Sequence, residues 1–171
     1  MPELKDKVKR WYPNVLRWCN QGTVPVPPAL ILAIIQMESA GNSVAIRREP
    51  KYLQMYGRTK KFQEIIKATG LSPEDIATSY GLMQLMVMTA WGYLTQFHKG
   101  PNVICFLLDP KQNIRYGTAH LATKLAKNNG NIRLAARDYN GTGAMAEAYG
   151  RNAQQLYLLY DEWIKGGGQH V

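Results

Sequence analysis

One stretch limits what this chain can fold into more than any other: PPALILAIIQMESAGN, residues Pro27 to Asn42. Proline in a first turn gives up no needed N–H bond, so Pro27 and Pro28 suit a helix start. Leu30, Ile31, Ile34, Ile35 and Met37 make the helix apolar almost all round, the pattern of a helix buried within a domain. Glu38 follows at i+7 from Ile31 and i+4 from Ile34, which puts a carboxylate on an apolar face. Poor solvation there would favour the protonated acid, and a carboxylic acid that keeps its proton is what acid-assisted cleavage of a glycosidic bond requires. The competing reading is that Glu38 only marks the helix end and faces solvent.

A helix of this kind needs a shell. The chain's 171 residues, 46% of them hydrophobic, suffice for a single domain over 1–171 and are too few for two ordinary ones. The net charge of +9 favours a polyanionic partner, whether nucleic acid, anionic membrane or acidic wall polymer. The cations are spread along the chain without a long basic block, and no clustered basic recognition helix is apparent, so nucleic acid is not the expected partner. Cys19 and Cys105 define neither a disulfide framework nor a metal site, and Cys105, in the apolar run Val103–Leu108, reads as a small core residue. His98, His120 and His170 lie far apart without ligand spacing, so no metal and no cofactor are expected. The N-terminal MPELKDKVKRWYP has no apolar signal core, and no apolar run is long enough to span a membrane.

The remaining periodicity is helical. Residues 4–20 read as a short helical element interrupted at Pro13, and residues 21–28 as a loop. Lys60–Ala68 forms a helix ending at Gly70, with Phe62, Ile65 and Ile66 inward. Ser72-Pro73-Glu74-Asp75 is a helix start, with Ser72 as cap and the acids near the positive dipole end. Leu82, Leu85, Met86 and Thr89 follow i, i+3, i+4, i+7, which predicts a helix within Ser79–Phe97. Asp109-Pro110 opens another, striped by Ile114, Gly117, Leu121 and Leu125 and closed by Asn129-Gly130. Ile132, Ala135, Ala136 and Tyr139 mark a further helix, and Asn152–Lys165 the last, before a flexible glycine tail over 166–171. Strand alternation is arguable only around Val44–Ile46 and Val103–Leu108. The expected class is all-α, mainly helical, with at most a minor β-hairpin.

Four stretches in order then resemble the catalytic domain of the soluble lytic transglycosylases, a lysozyme-like family related to goose-type lysozyme. They are Ala29–Asn42 with Glu38-Ser39; Ser79-Tyr80-Gly81-Leu82-Met83-Gln84-Leu85-Met86 with Thr89-Ala90; Asn113-Ile114 with Gly117 and Leu121; and Ala135-Ala136 with Tyr139-Asn140-Gly141. They span 29–145. Arg47-Arg48-Glu49-Pro50 is similar to bacteriophage-type members. Val87 departs from the family's usual proline, and the segment between Glu38 and Ser79 is a long insertion.

The resemblance implies a peptidoglycan lytic transglycosylase that cleaves the β-1,4 bond between N-acetylmuramic acid and N-acetylglucosamine and leaves a 1,6-anhydromuramyl end. It implies Glu38 as the single general acid and base, with Ser39, Ser79, Met83, Gln84, Tyr139 and Asn140 contacting substrate or positioning Glu38; Met83 reads equally well as a core residue, and Ser39 as the end of its helix. Glu49 and Asp75 are candidates for a water-activating base, and Tyr149 for stacking on sugar, although an aromatic stripe is more often packing. A hydrolytic goose-type muramidase is the nearest alternative, and a non-catalytic wall-binding module the alternative of another class. The partners implied are peptidoglycan glycan strands and the anionic wall surface, met by a monomer. The place of action is the bacterial wall, in the periplasm or outside the cell, reached by release from the cytoplasm as for a phage-encoded enzyme or after loss of a signal.

Overall fold

A computed structural model describes residues 3–20, 22–96 and 99–168. His98, His170 and the last residues of the expected tail lie outside the described residues.

The helix that opens the argument, α3 (Pro28–Ser39), is buried as its composition requires: Ala29 through Ile35 are all 0–1% exposed. Around it pack α1 (Asp6–Lys9), α2 (Tyr12–Trp18), α9 (Pro110–Lys127), α10 (Ile132–Asn140) and α11 (Ala144–Lys165), which form one continuous apolar cluster with it. α11 starts eight residues before the expected Asn152, and this longer helix lies along α3. Pro13 sits in the first turn of α2 and does not interrupt it; the break falls just before, between α1 and α2. The end of α3 is fixed by Ala40 and Gly41, both in left-handed conformation. The Gly41 carbonyl accepts from Trp11 Nε1 at 3.1 Å and Arg10 Nη2 at 3.2 Å, and a Cβ on Gly41 would meet the Lys7 carbonyl at 2.4 Å.

A second apolar cluster gathers α5 (Lys60–Thr69), α6 (Pro73–Ile76), α7 (Val87–Ala90) and α8 (Val103–Leu108). It also takes in an antiparallel sheet of β1 (Ile46–Arg48), β2 (Thr78–Tyr80) and β3 (Leu85–Met86), in that order. α4 (Pro50–Tyr56) joins β1 to α5 and packs Tyr52 and Leu53 onto this cluster. Ser72 and Asp109 cap α6 and α9 as expected, accepting from Asp75 N and Gln112 N.

Three local expectations are corrected. Residues 79–86, read as the start of a helix, form two short strands joined by a tight turn, because Gly81 and Gln84 take positive φ (75° and 48°) that no helix tolerates. The run Val103–Leu108, ambiguous between strand and helix, is helical. Cys105 lies on the exposed side of that helix, while Cys19 is the buried thiol.

The turn between β2 and β3 is held from outside. Asn113 is fully buried on α9; its Nδ2 donates to the carbonyls of Tyr80 (2.8 Å) and Leu107 (2.6 Å), and its Oδ1 accepts from Met83 N (2.7 Å). Gly81 N donates to the Ala45 carbonyl at 2.8 Å. Gly117, one turn along α9, leaves the space that the Met83 side chain fills; a Cβ there would lie 2.4 Å from its sulfur.

Asn113→Ala strands three buried backbone groups at once. Each costs roughly 1–3 kcal/mol when left unpaired, so a loss of about 3–5 kcal/mol is expected in denaturant unfolding. A loss below about 1 kcal/mol would mean that the turn stands without its latch.

Candidate active site

The two clusters leave a cleft of about 510 Å³ between them. Glu38 enters it from the last turn of α3, Tyr139 and Asn140 from the end of α10, and His120 from α9. Arg47, Glu49, Tyr52, Ser79, Gln84 and Thr89 line the other side, and the 83%-exposed Met145 sits at the rim.

Glu38 is the buried acid of this cleft, its side chain only 6% exposed. Its Oε1 accepts a 2.7 Å hydrogen bond from the Tyr149 hydroxyl, which α11 brings across α3. Arg47 Nη2 lies 3.6 Å from Oε2. Burial raises the Glu38 pKa above the usual carboxylate value; the Tyr149 bond and the Arg47 charge pull it part of the way back, and Glu49 adds a smaller upward push. Tyr139 and Tyr149 are pushed well above the usual phenol value, first by their own burial and then by the nearby Glu38 charge. Both therefore remain hydroxyl donors throughout the range in which Glu38 titrates.

The other carboxylate lining the cleft is Glu49. Its Oε1 accepts from Arg47 Nε at 2.6 Å and from Ser79 Oγ at 3.2 Å. Strand register explains this: Arg47 pairs directly with Ser79 across β1 and β2, and residues 47 and 49 share one face by the two-residue repeat of extended chain. Asp75 is not among the residues lining the cleft. It sits in α6, where its N–H completes the Ser72 cap and its carbonyl accepts from the Tyr80 hydroxyl at 2.9 Å.

The other expected site residues divide into those that face the cleft and those that hold it. Gln84 lines it, with Nε2 tied to the carbonyls of Gly81 (2.9 Å) and Ala45 (3.1 Å); its oxygen is left for a ligand donor. Asn140 is exposed at the edge and Ser79 is 2% exposed on the wall. Tyr139 faces the cleft, but its hydroxyl donates to the Met83 carbonyl at 2.7 Å and not to Glu38. Ser39 clamps the end of α3 to the β2–β3 turn, donating to the Leu82 carbonyl at 2.8 Å. Met83 is wholly buried against Gly117 and lines no part of the cleft, because the turn that presents Gln84 points its neighbour inward.

The sequence names Arg47 only within a phage-type stretch and His120 only as a histidine without ligand spacing, and offers Tyr149 for sugar stacking or plain packing; none is given a role beside Glu38. Arg47 becomes visible only once the β1–β2 register is known, and Tyr149 only once α11 is seen to begin at Ala144. His120 is held between the rings of Tyr93 and Tyr139, and burial lowers its pKa to about 4, with Lys124 adding to the effect. It is a neutral imidazole in this wall at ordinary pH.

Comparison with known proteins bears on the family and the fold. The model of the transglycosylase SLT domain family matches residues 20–157. Among solved structures, the chain is similar to an inactive mutant of the lytic transglycosylase Slt from Pseudomonas aeruginosa, with a TM-score of 0.62 and 22% identity over 90% of this chain. That likeness is one of fold, and the chain spans only 24% of the length of that protein. No curated protein sequence matches.

A buried acid with a raised pKa binds its proton more tightly in the folded state. Its burial therefore costs stability as pH rises from the unfolded carboxyl value through the folded one. Glu38→Gln should melt about 1–4 °C above the parent at pH 7, and the difference should vanish at pH 3, where both states of Glu38 are protonated. A calorimetric pH series reads this directly, and an advantage that persisted at pH 3 would assign it to something other than charge.

Proposed function

We propose that this chain, which belongs to the transglycosylase SLT domain family, is a peptidoglycan lytic transglycosylase. The observation that carries the reading is the nearly dry carboxyl of Glu38 in an open cleft, held on one oxygen by Tyr149. Desolvation keeps a fraction of Glu38 protonated above the pH at which a free carboxyl would be ionised.

Glu38 gives its proton to the glycosidic oxygen between N-acetylmuramic acid and N-acetylglucosamine as the bond from C1 breaks. The resulting carboxylate takes the proton of the muramyl C6 hydroxyl while that oxygen bonds to C1. The proton returns to Glu38, no water is consumed, and the product is a 1,6-anhydromuramyl end. One carboxyl serves both steps because they are sequential, in contrast to the two-carboxylate plan of most glycosidases.

Tyr149 fixes the carboxyl plane in both steps. Gln84, Ser79 and Asn140 offer the cleft's polar contacts to the sugar amides and hydroxyls, while Tyr139, Ser39 and Met83 act through the frame. The engagement of Glu49 with Arg47 and Ser79 favours an orienting role over water activation.

The chain would act at the bacterial wall. Among the described residues no helix is long and apolar enough to cross a membrane. The net charge of +9 suits lactyl and stem-peptide carboxylates.

Mass spectrometry of muropeptides released from purified sacculi tests the reaction. Anhydromuramyl ends are expected; reducing ends alone would make the enzyme a muramidase. Glu38→Gln should reduce release by about 100- to 10,000-fold, the usual worth of an acid–base group, while keeping the fold.

Attraction between exposed charges is screened as the Debye length falls from about 10 Å at 0.1 M salt to about 3 Å at 1 M. Pelleting with sacculi should therefore weaken steeply across that series, while turnover of a short soluble muro-oligosaccharide changes little. Flat binding would mean that the basic surface does not target the wall.

A further inference from the structure

Glu38 changes charge during the proposed cycle, from neutral acid to carboxylate and back. In a nearly dry site the ionised form needs a countercharge, and the cation lining the cleft beside it is Arg47. Arg47 is a long side chain, 55% exposed, that would otherwise sample many rotamers. It does not hang free. Its Nε–H is given to Glu49 Oε1 at 2.6 Å, and the same oxygen accepts from Ser79 Oγ, directly opposite Arg47 in the β1–β2 register. The guanidinium's other edge is thereby turned toward Glu38, where Nη2 stops 3.6 Å from Oε2. That spacing is an ion pair but lies beyond hydrogen-bond length, so Oε2 remains available to a substrate oxygen.

We propose that Glu49, with Ser79, is a positioning residue that holds Arg47 as the standing countercharge for Glu38, so that the ion pair strengthens as Glu38 releases its proton to the leaving group. The proposal rests on the reading of Glu38 as the acid. It accounts for a second carboxylate in the cleft without giving it a water molecule to activate. It also explains why the position opposite Arg47 is a buried serine: an apolar residue there would leave Glu49 one donor short.

The charges facing Glu38 come from several elements: Arg47 and Glu49 from β1 and its end, Tyr139 from α10, and Tyr149 from α11. The tyrosines stay neutral near pH 7, as does His120 across the cleft. Glu49 thus acts on Glu38 in two opposed ways. Directly, its negative charge disfavours ionisation of Glu38; on this proposal it favours ionisation by holding Arg47 in place. The sign of a single measurement separates the two.

The test follows the Glu38 carboxyl by ¹³C NMR titration, and kcat against pH on a soluble muro-oligosaccharide, in Arg47→Gln, Glu49→Ala, Glu49→Gln and the Arg47→Gln/Glu49→Ala double variant. If Glu49 works through Arg47, the Glu38 titration midpoint and the alkaline limb of kcat move upward in both Arg47→Gln and Glu49→Ala. kcat at the optimum then falls about 3- to 10-fold in each, the worth of one partly exposed ion pair. The double variant is no worse than Arg47→Gln alone, since the two residues form one unit. Glu49→Gln keeps an oxygen that can accept from Arg47 and Ser79 and should restore most of kcat. A midpoint that moves downward or not at all in Glu49→Ala, losses that multiply in the double variant, or loss of reducing-end products alone on removing Glu49 would each overturn the proposal. The titration needs no turnover, so it decides the matter even if the anhydromuramyl product is absent and the parent reading fails.

Discussion

The cleft depends on a side chain that never reaches it. Asn113 supplies from α9 three hydrogen bonds that the segment from Tyr80 to Met83, and the end of α8, cannot make for themselves. A turn with two left-handed residues has no regular ladder to use up its backbone groups, and leaving them unpaired in the interior would be prohibitive. Once Asn113 fixes the turn, the rest of the site docks on it. The Leu82 carbonyl takes Ser39 and so sets the end of α3; the Met83 carbonyl takes Tyr139 and so sets the end of α10; the Gly81 N–H takes Ala45 and so sets the approach to β1. Several of the site's side chains are thus registered against one four-residue turn, although they come from elements far apart in sequence.

This explains what the sequence alone could and could not reveal. α3 was legible because an all-apolar helix has few other places to go, and the same apolarity marked Glu38 as unusual. The caps at Ser72 and Asp109, and the stripes of α9 and α10, are local signals and read correctly. The segment after Ser79 misled because Leu82, Leu85, Met86 and Thr89 happen to keep helical spacing. Leu82 and Leu85 are buried, but by a turn and a strand whose anchoring hydrogen bonds come from residue 113, some 30 positions away, while Met86 and Thr89 face the cleft. Local periodicity carries no information about a donor at that distance. Met83 takes the core side of its two readings for a related reason: it lies on the turn's inner side, where Gln84 with its left-handed φ is the neighbour that lines the cleft. Tyr149 and Arg47 needed helix packing and strand register respectively, neither of which a motif encodes.

The stability of the site is at odds with its chemistry. α3 packs in the core through its fully buried residues Ala29–Ile35, and its last turn takes a carboxyl to the edge of that environment. The usual answer to a buried charge is a close, hydrogen-bonded partner, and a bidentate arginine on Glu38 would have served. Such a partner would also have pulled the pKa far down and left no acid to give a proton. Here the neutralising group is kept beyond hydrogen-bond length, and its own strongest bond is made to Glu49.

The two oxygens of Glu38 are consequently unequal. Oε1 already accepts a 2.7 Å hydrogen bond from a hydroxyl that stays protonated. Oε2 faces a guanidinium that has donors only and can accept nothing, and at 3.6 Å that group neither claims the oxygen nor closes it off. On the proposed mechanism Oε2 is the oxygen that holds and gives the proton. An oxygen arriving there meets an O–H whose conjugate base already has a countercharge waiting a short distance behind it. Arg47, a side chain half in solvent, can close that distance without disturbing the core against which α3 is packed.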